Sequence, residues 1–409
     1  MLNAEKQVGS SIFPQKRGFM SKEILIEFYD HVNLENVISL EENRYAQVVF
    51  LYFADAPEPT QQDKDLLRRF IQRRCGIPTE FRPIHKRSIE GVCTAFDEIL
   101  RTRSGVIDMT GGAELFSAAA GYYVAQGKDV ILQQYDIRRN GLVFRHGGED
   151  KPAAPLLTLG VKDAVELQGA LVMSSHPYDS SDKEMEAQIL QLWNAVKDET
   201  RCWNSFCALP GFSRTFSGNR FEKSVTTQHE SDAYQRIMRR LHPLGIVESE
   251  TTQLVKGRKY KSFRLNVPKH TLMLHRKGGN LLEMYCALAA SRSGCFQDCH
   301  VSVEVDWDSE IIRSAPDTRN EIDVMATAGY TPVLISCKNT RIENEYLYEI
   351  MVMAKHYGGR HAKGAIVSSV ECQPNVRLRA EEMGITLIDN VQAMSLEQFT
   401  DCFRRHFSN

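Results

Sequence analysis

No apolar run in the 409 residues approaches bilayer length. The longest uncharged stretch, Val324 to Cys337, has 14 residues and is broken by Gly329 and Pro332. A spanning helix needs about 20, so a transmembrane chain is excluded. Net charge is nearly absent too: 50 Lys and Arg against 52 Asp and Glu leave −2. No global basic field draws the chain to nucleic acid, and any such contact must come from a local patch. The ten cysteines are scattered. Cys295, Cys299 and His300 come nearest to a metal knuckle, but no second Cys/His pair follows at zinc spacing. Free thiols in a reducing cytoplasm are the expectation. The N-terminus carries Lys6, Lys16 and Arg17 but no apolar core, so it is no secretory signal. Met20-Ser21-Lys22-Glu23 reads as an internal start, which leaves residues 1–21 as a flexible extension.

What is present is ordinarily globular, 42% apolar and 25% charged, at a length suited to two or three domains. Residues 22–150 alternate strands with helices. Ile24–Phe28, Gln47–Phe53, Gly105–Met109 and Asp129–Gln134 read as strands. Gln62–Arg74, a segment opened by Ser88, and Ala113–Gln126 read as helices. That alternation predicts βαβ units and a parallel sheet. Thr110-Gly111-Gly112 lies between a strand and a helix, where backbone N–H groups and the helix dipole can face a phosphate. Paired glycines at such a turn are commonly just a tight connection.

Residues 151–275 read as a connecting region. Lys183–Lys197 and the segment through Tyr234, Ile237, Met238 and Leu241 have helical spacing. Gly245–Val247 and Tyr260–Leu265 flank a polar stretch as strand, wing and strand. The order resembles a winged helix, with Arg236, Arg239, Arg240, Lys256, Arg258, Lys259 and Lys261 nearby. A solvated charged face and a nucleic-acid contact account for those charges equally well.

Residues 276–409 carry the chemistry. A helix over Asn280–Ser291 is followed by Val301–Asp308, where Val301, Val303, Val305 and Trp307 alternate with Ser302, Glu304, Asp306 and Asp308. Glu321–Thr327 and Val333–Lys338 predict a hairpin. A helix from about Glu343 to Tyr357 and a strand Lys363–Ser368 complete an αβββαβ order, with an α-β-α tail. If the turn centres between Tyr330 and Thr331, Asp323 faces Lys338 at about 5 Å between Cβ atoms. Glu283 is the one charge between Lys277 and Arg292, beside the small residues Ala287 and Ala290. A carboxylate in so apolar a helix needs a partner. A divalent Mg²⁺ or Mn²⁺ bridging Glu283 and Asp323 supplies one, and Lys338 is then placed to orient a water or to stabilise charge on a phosphate. A plain cross-strand ion pair is the bland alternative for Asp323 and Lys338.

Asn320-Glu321-Ile322-Asp323-Val324 followed by Ile335-Ser336-Cys337-Lys338-Asn339 resembles the PD-(D/E)xK nuclease superfamily. The wording is closest to the CRISPR-associated ancillary nucleases, which join a CARF sensor to such a domain. One departure is plain: the acid usually found two residues before the lysine is Ser336 here. Glu283, Glu321 and Asp306 are the candidates to replace it, and the Cys337 carbonyl is a further candidate ligand. The resemblance implies an α/β chain with a Rossmann-like CARF domain (22–150), a small winged-helix-like connecting region (151–275) and a PD-(D/E)xK nuclease core (276–409). It implies Asp323, Lys338 and Glu283 as catalytic residues, and Glu283, Asp323 and Cys337 as holders of Mn²⁺ or Mg²⁺. Thr110, Gly111, Gly112, Tyr29 and Asp30 would meet a cyclic oligoadenylate, most simply the tetramer, across a homodimer two-fold. The activity implied is ligand-activated cleavage of DNA or RNA in type III CRISPR antiviral defence. A ligand-controlled transcription regulator and a constitutive restriction or repair nuclease are the other readings.

Overall fold

The computed structural model describes residues 23–408 apart from 102, 138, 140, 148–155, 209–214, 218–219, 227–231, 266–268, 276–277 and 307–318. The expected extension over 1–21, and Trp307 and Asp308 of the expected strand, lie outside the described residues.

The first sheet is built from β1 (Glu23–Phe28), β2 (Tyr45–Phe53), β3 (Thr79–Ile84), β4 (Gly105–Asp108), β5 (Ile131–Asp136) and β6 (Gly141–His146), in the order β3-β2-β1-β4-β5-β6. Strands β1 to β5 run parallel and β6 returns antiparallel to β5. Helices α1 (Gln61–Cys75), α2 (Ile89–Leu100) and α3 (Glu114–Ala125) connect the strands. Residues 24–26 and 48–51 are buried throughout, because helices or loops cover both faces of a parallel sheet. Thr60 and Asp63 form a capping box at α1, and Ser88 caps α2. Strands β3 and β6 were not expected. TEFRPI carries little apolar signal, and GLVFRH lies within the polar segment Arg138 to Lys151.

The middle of the chain holds α4 (Val161–Glu166), β7 (Leu171–Pro177), α5 (Lys183–Val196), α6 (Thr200–Cys207), β8 (Thr215–Ser217), β9 (Arg220–Thr226), α7 (Asp232–Leu241), β10 (Val247–Val255) and β11 (Arg258–Leu265). The expected hairpin is β10–β11, and it belongs to a four-stranded sheet of order β10-β11-β9-β8. Strand β7 has a different place: it pairs with the third sheet, and α5 packs on that sheet's covering helix through a Trp193–Tyr285 stack at 4.6 Å.

The third sheet joins β7 to five strands that follow α8 (Asn280–Ser293): β12 (Asp298–Asp306), β13 (Arg319–Ala328), β14 (Thr331–Lys338), β15 (Lys363–Ser368) and β16 (Thr386–Ile388). Its order is β16-β15-β14-β13-β12-β7. Helices α9 (Asn344–Gly358), α10 (Pro374–Glu382) and α11 (Leu396–Phe407) complete the chain. One face of the sheet packs on α8 and α11, the other on α4, α9 and α10. Helix α8 is buried from Asn280 to Ala290, which explains why it carries so little polar sequence. Among the described residues no helix is long and apolar enough to cross a membrane.

The two large α/β units touch through loops. Tyr330, at the turn of the β13–β14 hairpin, is 4% exposed, sits in the core beside α1, and donates from Oη to the Ile38 carbonyl at 3.1 Å.

Candidate active site and sensor crevice

The hairpin register corrects one expectation. Val324 pairs with Ile335 and Ala328 with Thr331, so the turn centres between Gly329 and Tyr330. Asp323 therefore stands opposite Ser336, and Lys338 is its diagonal neighbour rather than its partner. The displacement is an even number of residues, so both side chains keep a common face. A second expectation fails on β12. Val301 packs on the α8 side, whereas Val303 and Val305 pack on the α9 side. Between them Ser302 has φ +49°, in the left-handed region, and this breaks the alternation.

These two features coincide. The β12–β13 ladder passes from Val301–Val324 to Val303–Ile322 and omits Ser302 and Asp323. On its other side the β13–β14 ladder stops at Val324–Ile335. Asp323 is thus released from pairing on both flanks, and its carboxylate accepts the Cys337 amide at 2.7 Å and the Ser336 hydroxyl at 3.1 Å. Ser302 turns its hydroxyl to Glu283, donating at 3.2 Å. Glu283, in the first turn of α8, is 7% exposed. The Lys338 ammonium lies 4.8 Å from the centroid of the Tyr346 ring.

Electrostatics ties the group together. Burial raises the Asp323 carboxyl above its usual range, with Glu321 adding to the rise, while the Cys337 amide, Lys338 and Ser336 pull it down. The Cys337 thiol is pushed well up, first by burial, then by Cys286 and by the charges of Asp323 and Glu283. It stays protonated, so the oxygen this residue offers a hard cation is its carbonyl. Glu321 is exposed and pairs across the ladder with Glu304. Asp306 is buried near Tyr357, whose hydroxyl accepts from Asn320. Of the three acids considered for the place of Ser336, Glu283 is the one that joins Asp323 at Cys337. Among the described residues no three His, Cys, Asp or Glu side chains form a metal-binding group. The donor set that fits a cation is two carboxylates and a backbone oxygen, all hard ligands. Ser302 and Tyr346 were missed. Nothing in VSVEV announces a left-handed serine, and the aromatic reads as core.

The first sheet has its own crevice. Strand order reverses between β1 and β4, where ligands of open α/β sheets bind. The loops after these strands touch: a Cβ on Gly111 would lie 3.2 Å from that of Asp30, and one on Gly112, at φ +106°, would lie 2.5 Å from that of Phe28. Gly112 is thus demanded by packing and backbone conformation, while Gly111 sits in a tight contact. Thr110 accepts the Tyr135 amide at 2.9 Å and donates its own to Asp108 at 2.8 Å. A crevice of about 330 Å³ opens beside it, lined also by Glu35, Gln134, Tyr135, Asp136, Ile137, Val143 and His361. Asp30 holds its loop by accepting the Val32 amide and by exchanging hydrogen bonds with Asn36. Tyr29 is 5% exposed, packs on Phe81 and His31, and lies beside Asp63. Of the five residues expected to meet a ligand, Thr110 lines the crevice, Gly111 and Asp30 form the loop pair, Gly112 packs on Phe28, and Tyr29 belongs to the core.

A parallel-sheet domain with a crevice at its switch point is thus joined to an αβββαβ core in which two carboxylates and a lysine lie near one another. Residues 274–406, the C-terminal third of the chain, match the family model described as Card1-like, endonuclease domain. The resemblance to CRISPR-associated ancillary nucleases is borne out by that match. Among solved structures, protein VC1899 from Vibrio cholerae matches with a TM-score of 0.66 at 15% identity, covering 94% of this chain and 98% of that one. Can2 from Sulfobacillus thermosulfidooxidans, solved in complex with cyclic tetra-adenylate, matches with 0.62 at 14% identity, over 95% and 100%. At these identities the likeness is one of fold. No curated protein sequence matches.

Proposed function

We propose that the protein is a cytoplasmic, homodimeric, metal-dependent nuclease of type III CRISPR defence, switched on when a cyclic oligoadenylate, the tetramer first, occupies the crevice beside Thr110. The observation that carries the cleavage reading is the break in both ladders at Asp323. It leaves a carboxylate free of strand pairing, adjoining Cys337 together with Glu283, with Lys338 one diagonal step away. This is the PD-(D/E)xK arrangement with Glu283 in the role of the acid that Ser336 lacks.

Glu283, Asp323 and the Cys337 carbonyl would hold Mg²⁺ or Mn²⁺, which supplies Lewis-acid polarisation of a phosphoryl oxygen and a more acidic bound water. Ser302 positions Glu283 through its hydroxyl. Lys338, steadied by the Tyr346 ring, sets a positive charge where negative charge develops on the attacked phosphate. In the sensor, the loop pair of Asp30 and Gly111, Thr110 and the start of α3 receive the ligand. Helix α3 has no side-chain hydrogen bond at its N-cap Ala113, which suits its start to an anionic group. The winged-helix-like region 151–275 offers the basic hairpin around Lys256, Arg258 and Lys259 to a nucleic-acid backbone. The ligand acts by preferring the cleavage-competent arrangement.

The test is cleavage of labelled RNA, single-stranded DNA and supercoiled plasmid with Mn²⁺, each with and without cyclic tetra-adenylate, beside Lys338→Ala. Cleavage needing both ligand and Lys338 supports the proposal and names the substrate. Equal cleavage without ligand favours a constitutive nuclease.

A further inference from the structure

The crevice beside Thr110 is not made by the sensor alone. His361, from the loop between α9 and β15, forms part of its wall, and its Nε2 lies 3.0 Å from Glu35 Oε1. The two side chains are 17% and 16% exposed, so solvent screens their pairing only weakly. The other charged lining group is Asp136, paired with Arg139 at 3.8 Å. Thr110, Gln134, Tyr135, Ile137 and Val143 are neutral. A phosphodiester anion entering here meets Glu35 as a like charge. Among the described lining residues the one basic side chain is His361, and it belongs to the nuclease domain.

We propose that His361 is an activator-binding residue supplied by the nuclease domain, whose imidazole passes from Glu35 to a phosphate of the ligand. This rests on reading the crevice as a cyclic oligoadenylate site, and it names how that site is coupled to cleavage. A protonated imidazole donates through both ring nitrogens, so the exchange trades one anionic acceptor for another. It breaks the tie between Glu35 and the loop leading into β15. Helix α9, 15 residues and about 22 Å long, connects the two sites. His361 lies three residues beyond its C-terminal end, and Tyr346, whose ring faces Lys338, lies in its first turn. Ligand capture at one end of this helix is thereby coupled to the placement of Lys338 at the other.

The experiment measures equilibrium binding of labelled cyclic tetra-adenylate to the full-length native protein, His361→Ala, His361→Gln and Glu35→Gln. The activator concentration for half-maximal cleavage is measured beside it. Both His361 variants should bind roughly ten-fold more weakly, the loss of a charge-assisted hydrogen bond, and need correspondingly more activator. Glu35→Gln should bind more tightly, since it removes the like charge. Affinity in both His361 variants within about two-fold of native would overturn the assignment. So would weaker binding by all three variants with a lowered Tm, which marks the pair as a structural clasp. Absence of binding by the native protein would instead remove the ligand reading, and this inference with it.

Discussion

The backbone amide of Cys337 donates a 2.7 Å hydrogen bond to the side chain of Asp323, in the place where the next rung between β13 and β14 would lie. A carboxylate thus substitutes for a strand carbonyl. The cost is a charge held in a desolvated position, and its raised pKa records that cost. An active site built this way is most complete when a cation and substrate share the charge.

Lys338→Ala is expected to slow single-turnover cleavage by roughly 10²- to 10⁴-fold, the range for a positioned proton-transfer or charge-stabilising group. Substrate affinity should change far less. Tyr346→Ala should cost several-fold in rate through the lost ring–ammonium contact, and Tyr346→Phe should not. Equal losses in affinity and rate for Lys338→Ala would reassign the lysine to substrate binding.

Ser302 combines strain with a hydrogen bond, and substitutions separate the two. Ser302→Gly removes the cost of φ +49° and the bond to Glu283 together. It should keep native stability while lowering the cleavage rate. Ser302→Val places a β-branched residue in the left-handed region and should destabilise by about 1–3 kcal/mol in urea unfolding. A fully active Ser302→Gly would show that Glu283 needs no positioning.

Restoring the usual acid gives a stability readout. Ser336→Asp places a second carboxylate beside Asp323, so the metal-free protein should melt lower than native. Mn²⁺ should then raise its Tm by more than it raises the native one. A Tm deficit that Mn²⁺ leaves unchanged would argue against a cation at this position.

Burial pushes the Asp108 carboxyl from 3.8 up to about 6, against hydrogen bonds from Thr110 and Gln133 and the charge of Arg145. The folded protein then binds more protons than the unfolded chain between those values, so this group's contribution weakens as pH rises through that window. Glu27 beside it is raised as well, by burial and by Asp108. Asp108→Asn should therefore raise Tm by a few degrees relative to native at about pH 8 and by little at about pH 4. Equal effects at both pH values would mean that the Asp108 carboxyl titrates alike in the folded and unfolded chain, and that burial does not raise it.

The sequence is legible where burial imposes a period. The runs of β1, β2 and β4, the helix stripe of α1 and the apolar strands of β13 and β14 show their place directly. That Glu283, Asp323 and Lys338 lie near one another was legible, because a lone charge in an apolar element needs a partner. The hairpin register was not, since one turn sequence admits two turn centres that preserve side-chain parity. Ser302 escaped because a single left-handed residue leaves no period behind. Strand β7, LVMSSHP, escaped because it is a largely exposed edge whose partner lies more than 120 residues away. The Glu35–His361 contact joins residues 326 apart, beyond any local pattern.

The most direct test of the cleavage site is the Mn²⁺ dependence of activator-stimulated, single-turnover cleavage by native protein and by Asp323→Asn, whose fold is checked by circular dichroism. The account predicts a native rate that rises with Mn²⁺ and vanishes in EDTA, and a variant at least about 100-fold slower at every Mn²⁺ concentration. A well-folded Asp323→Asn that cleaves at the native rate would contradict it.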